Sequence, residues 1–269
     1  MAEIPPRSSP LRAAIGDFSD AARLWRLVGA LGWLDIRLRY RGSWLGPLWL
    51  GLSTAIMVLA LGLVYPALFH LSAREYVPYL AVSLVLWNAL AQLVTDASQV
   101  FVAQEAVIHA IRLPFAVHAA RALLRTVIAM AHQAAVLVPV FLLFGIVPGG
   151  AIWTVPPALM LWLLDGFCLL LILGALGARF RDLPPILASA MQLAFFLTPV
   201  IWRGEQLGPN AAWLLLNPLH AMIEILRAPL LGQPVPGAAW AVALASSFVL
   251  VAASGLVFAH ARSRLAFWV

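Results

Sequence analysis

Two residues inside otherwise apolar stretches have the chemistry to carry a proton. Asp165 lies deep in a leucine-rich run, and a carboxylate at that depth is costly in lipid, so it marks a pathway, a proton relay or a contact with a neighbouring helix. His132, in the preceding apolar stretch, could act as its proton partner, although a lone intramembrane histidine more often makes a helix-to-helix hydrogen bond. One acid and one imidazole are a thin basis for proton coupling. Trp87, Phe195, Phe196 and Trp213 suit stacking against sugar rings in a channel, and equally suit packing or lipid contact.

Other chemistries are excluded by residue type. All 17 basic residues are arginine. A P-loop needs a lysine on the β/γ-phosphates and a Schiff-base enzyme needs an amine, so the chain by itself does neither. There is no HExxH, no paired histidine–carboxylate cluster and no serine nucleophile elbow, which removes the basis for a metal site or a membrane hydrolase. The single cysteine, Cys168, falls in an apolar stretch, forms no disulfide within the chain, and reads as a small buried apolar residue.

What must position these residues is a set of membrane spans. The 269 residues are 63% hydrophobic and 10% charged, with mean hydropathy +0.95, more apolar surface than a soluble domain of this length can bury. A hydrocarbon layer of about 30 Å needs roughly 20 apolar residues per helix. Six stretches qualify or nearly so: 44–69, 77–101, 119–147, 152–178, 185–202 and 238–259, the fifth short and the third long. The expected fold is therefore an all-α polytopic membrane protein with six transmembrane helices. No cleavable signal peptide is expected, because seven arginines precede the first apolar run.

The connections carry their own signals. Residues 1–18, rich in proline and serine, have the composition of a loose tail. Over 20–40 an amphipathic interfacial helix is expected, since Leu24, Leu27, Leu31, Leu34 and Leu38 repeat at helical spacing while Arg23, Arg26, Arg37 and Arg41 lie off that stripe. Gly42, Gly46 and Gly51 form a small-residue ridge that reads as close helix packing. QEAVIHAIRLPF reads as a short helix ended before Pro114, with Glu105, His109 and Arg112 at spacings that put them on one face. It could dock a soluble partner or simply be a solvated connection. In FRDLPPIL, Asp182 is placed to cap the next helix and Pro184 and Pro185 fit its first turn. Residues 203–237 hold two half-length apolar helices, 210–216 and 218–230, separated by Asn217-Pro218. Helices this short cannot span, and they read as a re-entrant or interfacial hairpin bordering a pathway.

Fourteen of the arginines fall on the side of the termini in a six-span chain, leaving only Arg74, Arg203 and Arg227 for the other. The positive-inside rule then puts both termini in the cytoplasm. The formal net charge of +6 is strung along membrane edges, where lipid headgroups and topology account for it and no nucleic-acid partner is needed. The expected divisions are a cytoplasmic tail and interfacial helix at 1–43, a six-span domain at 44–260 and a cytoplasmic tail at 261–269.

Taken together, DIRLRYRGSWLGPLWL before the first span, the short helix ending at Pro114, FRDL, the TPV closing the fifth span and NPLHAMIEILR resemble, in that order over about residues 30–260, the ABC-2 type permeases. Those proteins export polysaccharides, O-antigens, capsules and teichoic acids. The chain departs from many members in having Leu113-Pro114 where they carry Phe-Pro. The resemblance implies a homodimeric half-channel in the bacterial cytoplasmic (inner) membrane that binds two separate ABC ATPase subunits. ATP and Mg would sit on those subunits, this chain would hold no cofactor and would not be an enzyme, and the substrate would be a lipid-linked glycan. It also implies that Glu105, His109 and Arg112, with Arg181 and Asp182, couple to the ATPase. The helix bearing Arg37, Arg39 and Arg41, with Trp44, would frame substrate loading. Trp87, Asp165, Phe195, Phe196, Trp213, Asn217 and Glu224 would be channel or exit candidates. Two alternatives stay open: a permease of the same fold exporting a lipid, drug or other small hydrophobic molecule, and a proton-coupled secondary transporter using Asp165 and His132.

Overall fold

The computed structural model describes residues 10–44, 46 and 48–269. Residues 1–9 of the tail expected over 1–18, and Leu45 and Pro47 at the start of the first expected span, lie outside the described residues. All regular structure among the described residues is helical. In chain order the α-helices are α1 (Pro10–Arg23), α2 (Trp25–Arg39), α3 (Leu48–Phe69), α4 (Ala73–Ala97), α5 (Glu105–Ala110), α6 (Phe115–Ala134), α7 (Leu137–Phe144), α8 (Val155–Arg179), α9 (Leu183–Leu197), α10 (Pro218–Leu230) and α11 (Gly237–Trp268), with 3-10 segments at Val102–Gln104, Gly150–Thr154 and Gly204–Leu216.

Five stretches are long and apolar enough to cross a membrane: Leu48–Leu68, Ala73–Ala97, Phe115–Phe144, Gly150–Arg179 and Gly237–Trp268. The third joins α6 to α7 across a turn at Ala135 and Val136. α9 is apolar but has only 15 residues, about 22 Å at 1.5 Å per residue, and Thr198 leaves it in extended conformation. α3 exposes Leu52, Ile56, Leu59 and Leu63, as a helix apolar all round does when lipid surrounds it. α4 is the opposite case: Tyr76, Leu80, Ala81 and Val82 are fully buried, and α3, α6, α7, α8, α9 and α10 all pack against it.

Close approach between α8 and the end of α4 is made possible by glycine. A Cβ at Gly177 would meet the Ser98 carbonyl oxygen at 1.8 Å, and one at Gly174 would meet Val100 Cγ1 at 2.4 Å. This contact sets α8 against the segment that leads into α5.

Three expectations about the connections are corrected. The helical structure begins at Pro10, where the tail reading over 1–18 expects loose chain. α1 is held because Ala14 and Asp17 are buried against the bundle and the Phe18 ring stacks on Phe258, centroids 5.5 Å apart. The single helix expected over 20–40 is two helices, broken at Leu24 with φ −89° and ψ 19°. α2 packs on α6 through Gly32 and Ile36 and exposes Leu34 and Leu38 of the leucine stripe. Gly42 and Gly46 do not pack as a ridge. Both have positive φ, +84° and +54°, with open space where a Cβ would lie, so they make the turn before α3; of the three, Gly51 alone packs, and a Cβ placed there would meet the His132 carbonyl oxygen at 3.1 Å.

Gly177→Ala is expected to destabilise the fold by about 3 kcal/mol or more, because the neighbour it strikes is backbone. Gly255→Ala, with nothing within 4 Å, serves as the matched control. Thermal unfolding of the two variants in detergent measures the difference; equal melting temperatures would refute the close α4–α8 approach.

Candidate functional site

At the end of the bundle away from α5, the chain leaves α9 as an irregular turn through Thr198, Pro199, Ile201 and Trp202, then returns as the 3-10 segment Gly204–Leu216 and α10. The backbone carbonyls of that turn need donors in a place poor in water. Tyr76 on α4 donates its hydroxyl to the Ile201 carbonyl at 2.6 Å. Tyr79, one helical turn further along α4, reaches the carbonyls of Pro199 at 2.9 Å and Trp202 at 3.0 Å. Asn217 fixes the other end of the hairpin. Its Oδ1 accepts the Leu219 and His220 N–H groups, capping α10, while its Nδ2 donates to Thr198 Oγ1 at 2.9 Å.

Arg227 ties these pieces together. Its side chain is 4% exposed. Nη1 donates to Ser83 Oγ at 2.9 Å and to the Pro199 carbonyl at 2.6 Å. Nε donates to Glu224 Oε2 at 3.0 Å, with Nη2 on the same oxygen, and the guanidinium lies over the Tyr79 ring, 4.3 Å from its centroid. One planar group therefore joins α4, α10 and the turn after α9. Beside it lies a cavity of about 870 Å³ whose lining alternates charge: Arg74, Arg203 and Arg227 against Glu75, Glu205 and Glu224. His220 also lines it; burial, and then Arg227, push its imidazole down to about 4, so it is neutral at physiological pH and the cavity carries no net charge.

At the opposite end a second network gathers the segments expected to meet a soluble partner. Arg121 on α6 donates through Nε to Asp35 Oδ2 at 2.5 Å, pairs through Nη2 with the other Asp35 oxygen, and donates through Nη1 to Gln104 Oε1 at 2.8 Å. It thereby links α2, α6 and the 3-10 turn that precedes α5. Asp17 of α1 performs two tasks: Oδ2 accepts the Ala116 N–H at 2.8 Å and Oδ1 accepts from Arg262 Nε at 2.9 Å. The N-cap of α6 is Pro114, whose side chain offers no acceptor, so a carboxylate distant in sequence supplies one. His118, 2% exposed, finds no hydrogen-bond partner for either ring nitrogen among the described residues.

The residues read as coupling to the ATPase are all exposed at this end: Glu105 and His109 on α5, Arg112, Arg181 and Asp182. Two details differ from the sequence reading. α5 ends at Ala110 and Ile111 is extended, so Arg112 does not share a helix face with Glu105 and His109. Asp182 occupies the N-cap position of α9 but makes no capping bond; Pro184 and Pro185 remove the N–H groups at N2 and N3 that a cap would accept. Arg37, Arg39, Arg41 and Trp44 are exposed, Trp44 at 95%.

The channel candidates separate into groups. Trp87 and Phe195 meet at 5.6 Å between centroids, Phe195 and Phe196 at 5.4 Å, and all three line a cleft of about 450 Å³ between α4 and α9. Asn217 and Glu224 belong to the Arg227 network, whereas Trp213 is exposed on the 3-10 segment, apart from the other aromatics. Asp165 accepts from Ser247 Oγ of α11 at 2.7 Å, and His132 Nδ1 bonds to the Ile128 carbonyl of its own helix at 2.7 Å. The structure does not pair them. Arg227, Tyr76, Tyr79, Arg121 and Asp35 were not singled out from the sequence as site residues. The one signal for them was the three-residue spacing of Glu224 and Arg227 on a short helix.

Residues 26–231, from α2 through α10, match the family described as ABC-2 type transporter. A relative from Myxococcus xanthus named O-antigen export system permease protein RfbA is 25% identical over 240 residues, spanning 86% of this chain and 91% of the relative. A Klebsiella pneumoniae protein of the same name is 22% identical over 191 residues, 70% of this chain and 74% of its own.

Arg227→Ala leaves Glu224 without its partner and takes from the Pro199 carbonyl one of its two donors, the other being the Tyr79 hydroxyl. The expected loss is about 3–5 kcal/mol, seen as a large drop in melting temperature in detergent. Ser83→Ala, which removes one hydrogen bond to the same guanidinium, should cost about 1 kcal/mol; equal effects from the two would contradict the central place of Arg227.

Proposed function

The chain belongs to the ABC-2 type transporter family, and from that premise we propose that it is the membrane permease of an ATP-driven exporter moving a lipid-linked polysaccharide of the O-antigen kind out across the bacterial inner membrane. The observation that carries this reading is the likeness to O-antigen export permeases along most of both chains. The family supplies a membrane subunit whose ATPase is separate, which agrees with a chain that has no lysine for a P-loop.

Two copies form the pathway, each meeting one ATPase subunit, with ATP and Mg²⁺ held by that partner. α5, bearing Glu105 and His109, and the turn at Arg181 and Asp182 take up the ATPase's movement. The concentration of arginines at that end supports placing both termini in the cytoplasm. α2, with Trp33, Leu34 and Leu38 exposed, lies in the headgroup plane and frames substrate loading near Arg37, Arg39, Arg41 and Trp44. α9 acts as a short sixth span, and the hairpin from the 3-10 segment through α10 is re-entrant from the outer side. A net-neutral cavity rich in both carboxylate and guanidinium groups suits a hydroxyl-rich chain, since carboxylates accept from hydroxyls and guanidinium groups donate to them. The permease has no reaction to perform, so ATP binding acts through rigid-body movement of packed helices.

Deleting the gene and quantifying surface glycan beside intracellular lipid-linked glycan tests the proposal. Surface loss with internal accumulation is the expected result; unchanged pools would overturn it. Asp165→Asn keeps a side chain able to bond Ser247 and is expected to leave ATP-dependent export within about twofold. Abolished export with an intact fold would instead favour proton coupling.

A further inference from the structure

We infer that the groove between α8 and α11, at the bundle end shared with α5, binds the phosphate of an anionic phospholipid, with an acyl chain lying along the apolar floor. The groove is a cavity of about 380 Å³. Small side chains at Ala175 and Ala261 let it form between two stretches that are each long and apolar enough to cross a membrane. Leu256, 59% exposed, borders it, so the groove opens on the outside of the bundle, where lipid lies.

Its chemistry is one-sided. Arg179, His260 and Arg264 line the groove, and among the described residues no carboxylate does. Arg264 makes no ion pair among the described residues, in contrast to Arg262 two positions earlier, which is held by Asp17. Arg179 lies over the Phe180 and Trp268 rings, 5.6 and 5.2 Å from their centroids. Contact with a ring face leaves the N–H edge of a guanidinium free to bond an anion. His260 engages the Leu256 carbonyl through Nδ1 at 2.8 Å, leaving Nε2 unused. Basic groups at the cytoplasmic end of a lipid-facing groove attract anionic headgroups, with roughly a fivefold gain in affinity per arginine near the surface. Phosphate at the arginines and methylenes over the alanine floor satisfy both halves of the groove at once. The inference does not depend on which molecule is exported.

The test uses the full-length chain purified with its ATPase subunit. Native mass spectrometry and thermal unfolding are run with phosphatidylglycerol, phosphatidylcholine or inorganic phosphate added. Phosphatidylglycerol is expected to stay bound and raise the melting temperature, and the other two are not. The double variant Arg179→Gln/Arg264→Gln should retain phosphatidylglycerol roughly thirty-fold more weakly, while Arg23→Gln, at an exposed pair on α1, should bind as the unaltered protein does. Because Arg264 is exposed, Arg264→Glu tests the site without risk to the fold and should expel the lipid. Unchanged lipid retention in both groove variants would overturn the inference. So would equal stabilisation by phosphatidylcholine or inorganic phosphate, or loss of the ATPase subunit with lipid still bound.

Discussion

The structure depends most on one buried cation. A guanidinium 4% exposed must have its charge and most of its donors answered by protein groups. Arg227 meets that demand by drawing Glu224 from its own helix, Ser83 and the Tyr79 ring from α4, and the Pro199 carbonyl from the turn after α9. The partners come from three pieces of the chain, α4, α10 and the turn after α9, so satisfying the charge fixes those pieces relative to one another. The short α9 and the half-length α10 are tolerable for the same reason. Non-helical backbone in a membrane protein survives where protein groups bond it, and Tyr76, Tyr79, Arg227 and Asn217 bond this turn at almost every carbonyl or side chain that asks for a partner.

The opposite end uses the same logic with the signs reversed. There the buried groups that organise the structure are carboxylates. Asp17 ties α1 to the start of α6 and to α11, and Asp35 ties α2 to α6. Arg121 extends the second link to Gln104, immediately before α5. The side chains of Gln104, Arg121 and Asp35 thus join the turn before α5 to α6 and α2. At this same end Gly174 and Gly177 of α8 admit the end of α4 at distances that any side chain would prevent.

Much of this architecture was legible in the residues alone. Apolar runs gave the long helices, because a segment with no polar face has only lipid or protein interior to occupy. Asn217-Pro218 gave the break between the two halves of the hairpin, because an N-cap acceptor followed by a residue without an N–H starts a helix wherever it stands. The lack of lysine excluded a P-loop on this chain, and the resemblance to ABC-2 permeases supplied the separate ATPase. The local reading failed where a distant residue decided the outcome. Nothing within residues 10–18 announces a helix docked on α6 and α11; the buried Asp17 and its two partners do. Asp182 has the right type and position for a cap, yet the prolines it precedes take away the N–H groups. Gly42 and Gly46 have the spacing of a packing ridge, yet their positive φ makes them a turn.

The sequence by itself therefore determined which segments are helical and apolar, where charge collects and what chemistry is missing, since these follow from composition and short-range periodicity. Only the tertiary structure decided which polar groups meet. Asp165 and His132 could be partners by type and are not in contact, while Arg227 with Tyr79, and Arg121 with Asp35, show no link in the sequence and are in contact. The physical reason is that a polar group in an apolar surrounding binds whichever complementary group the packing of helices brings within hydrogen-bond distance. In this chain those partners stand as many as 245 residues apart, and no local pattern records them.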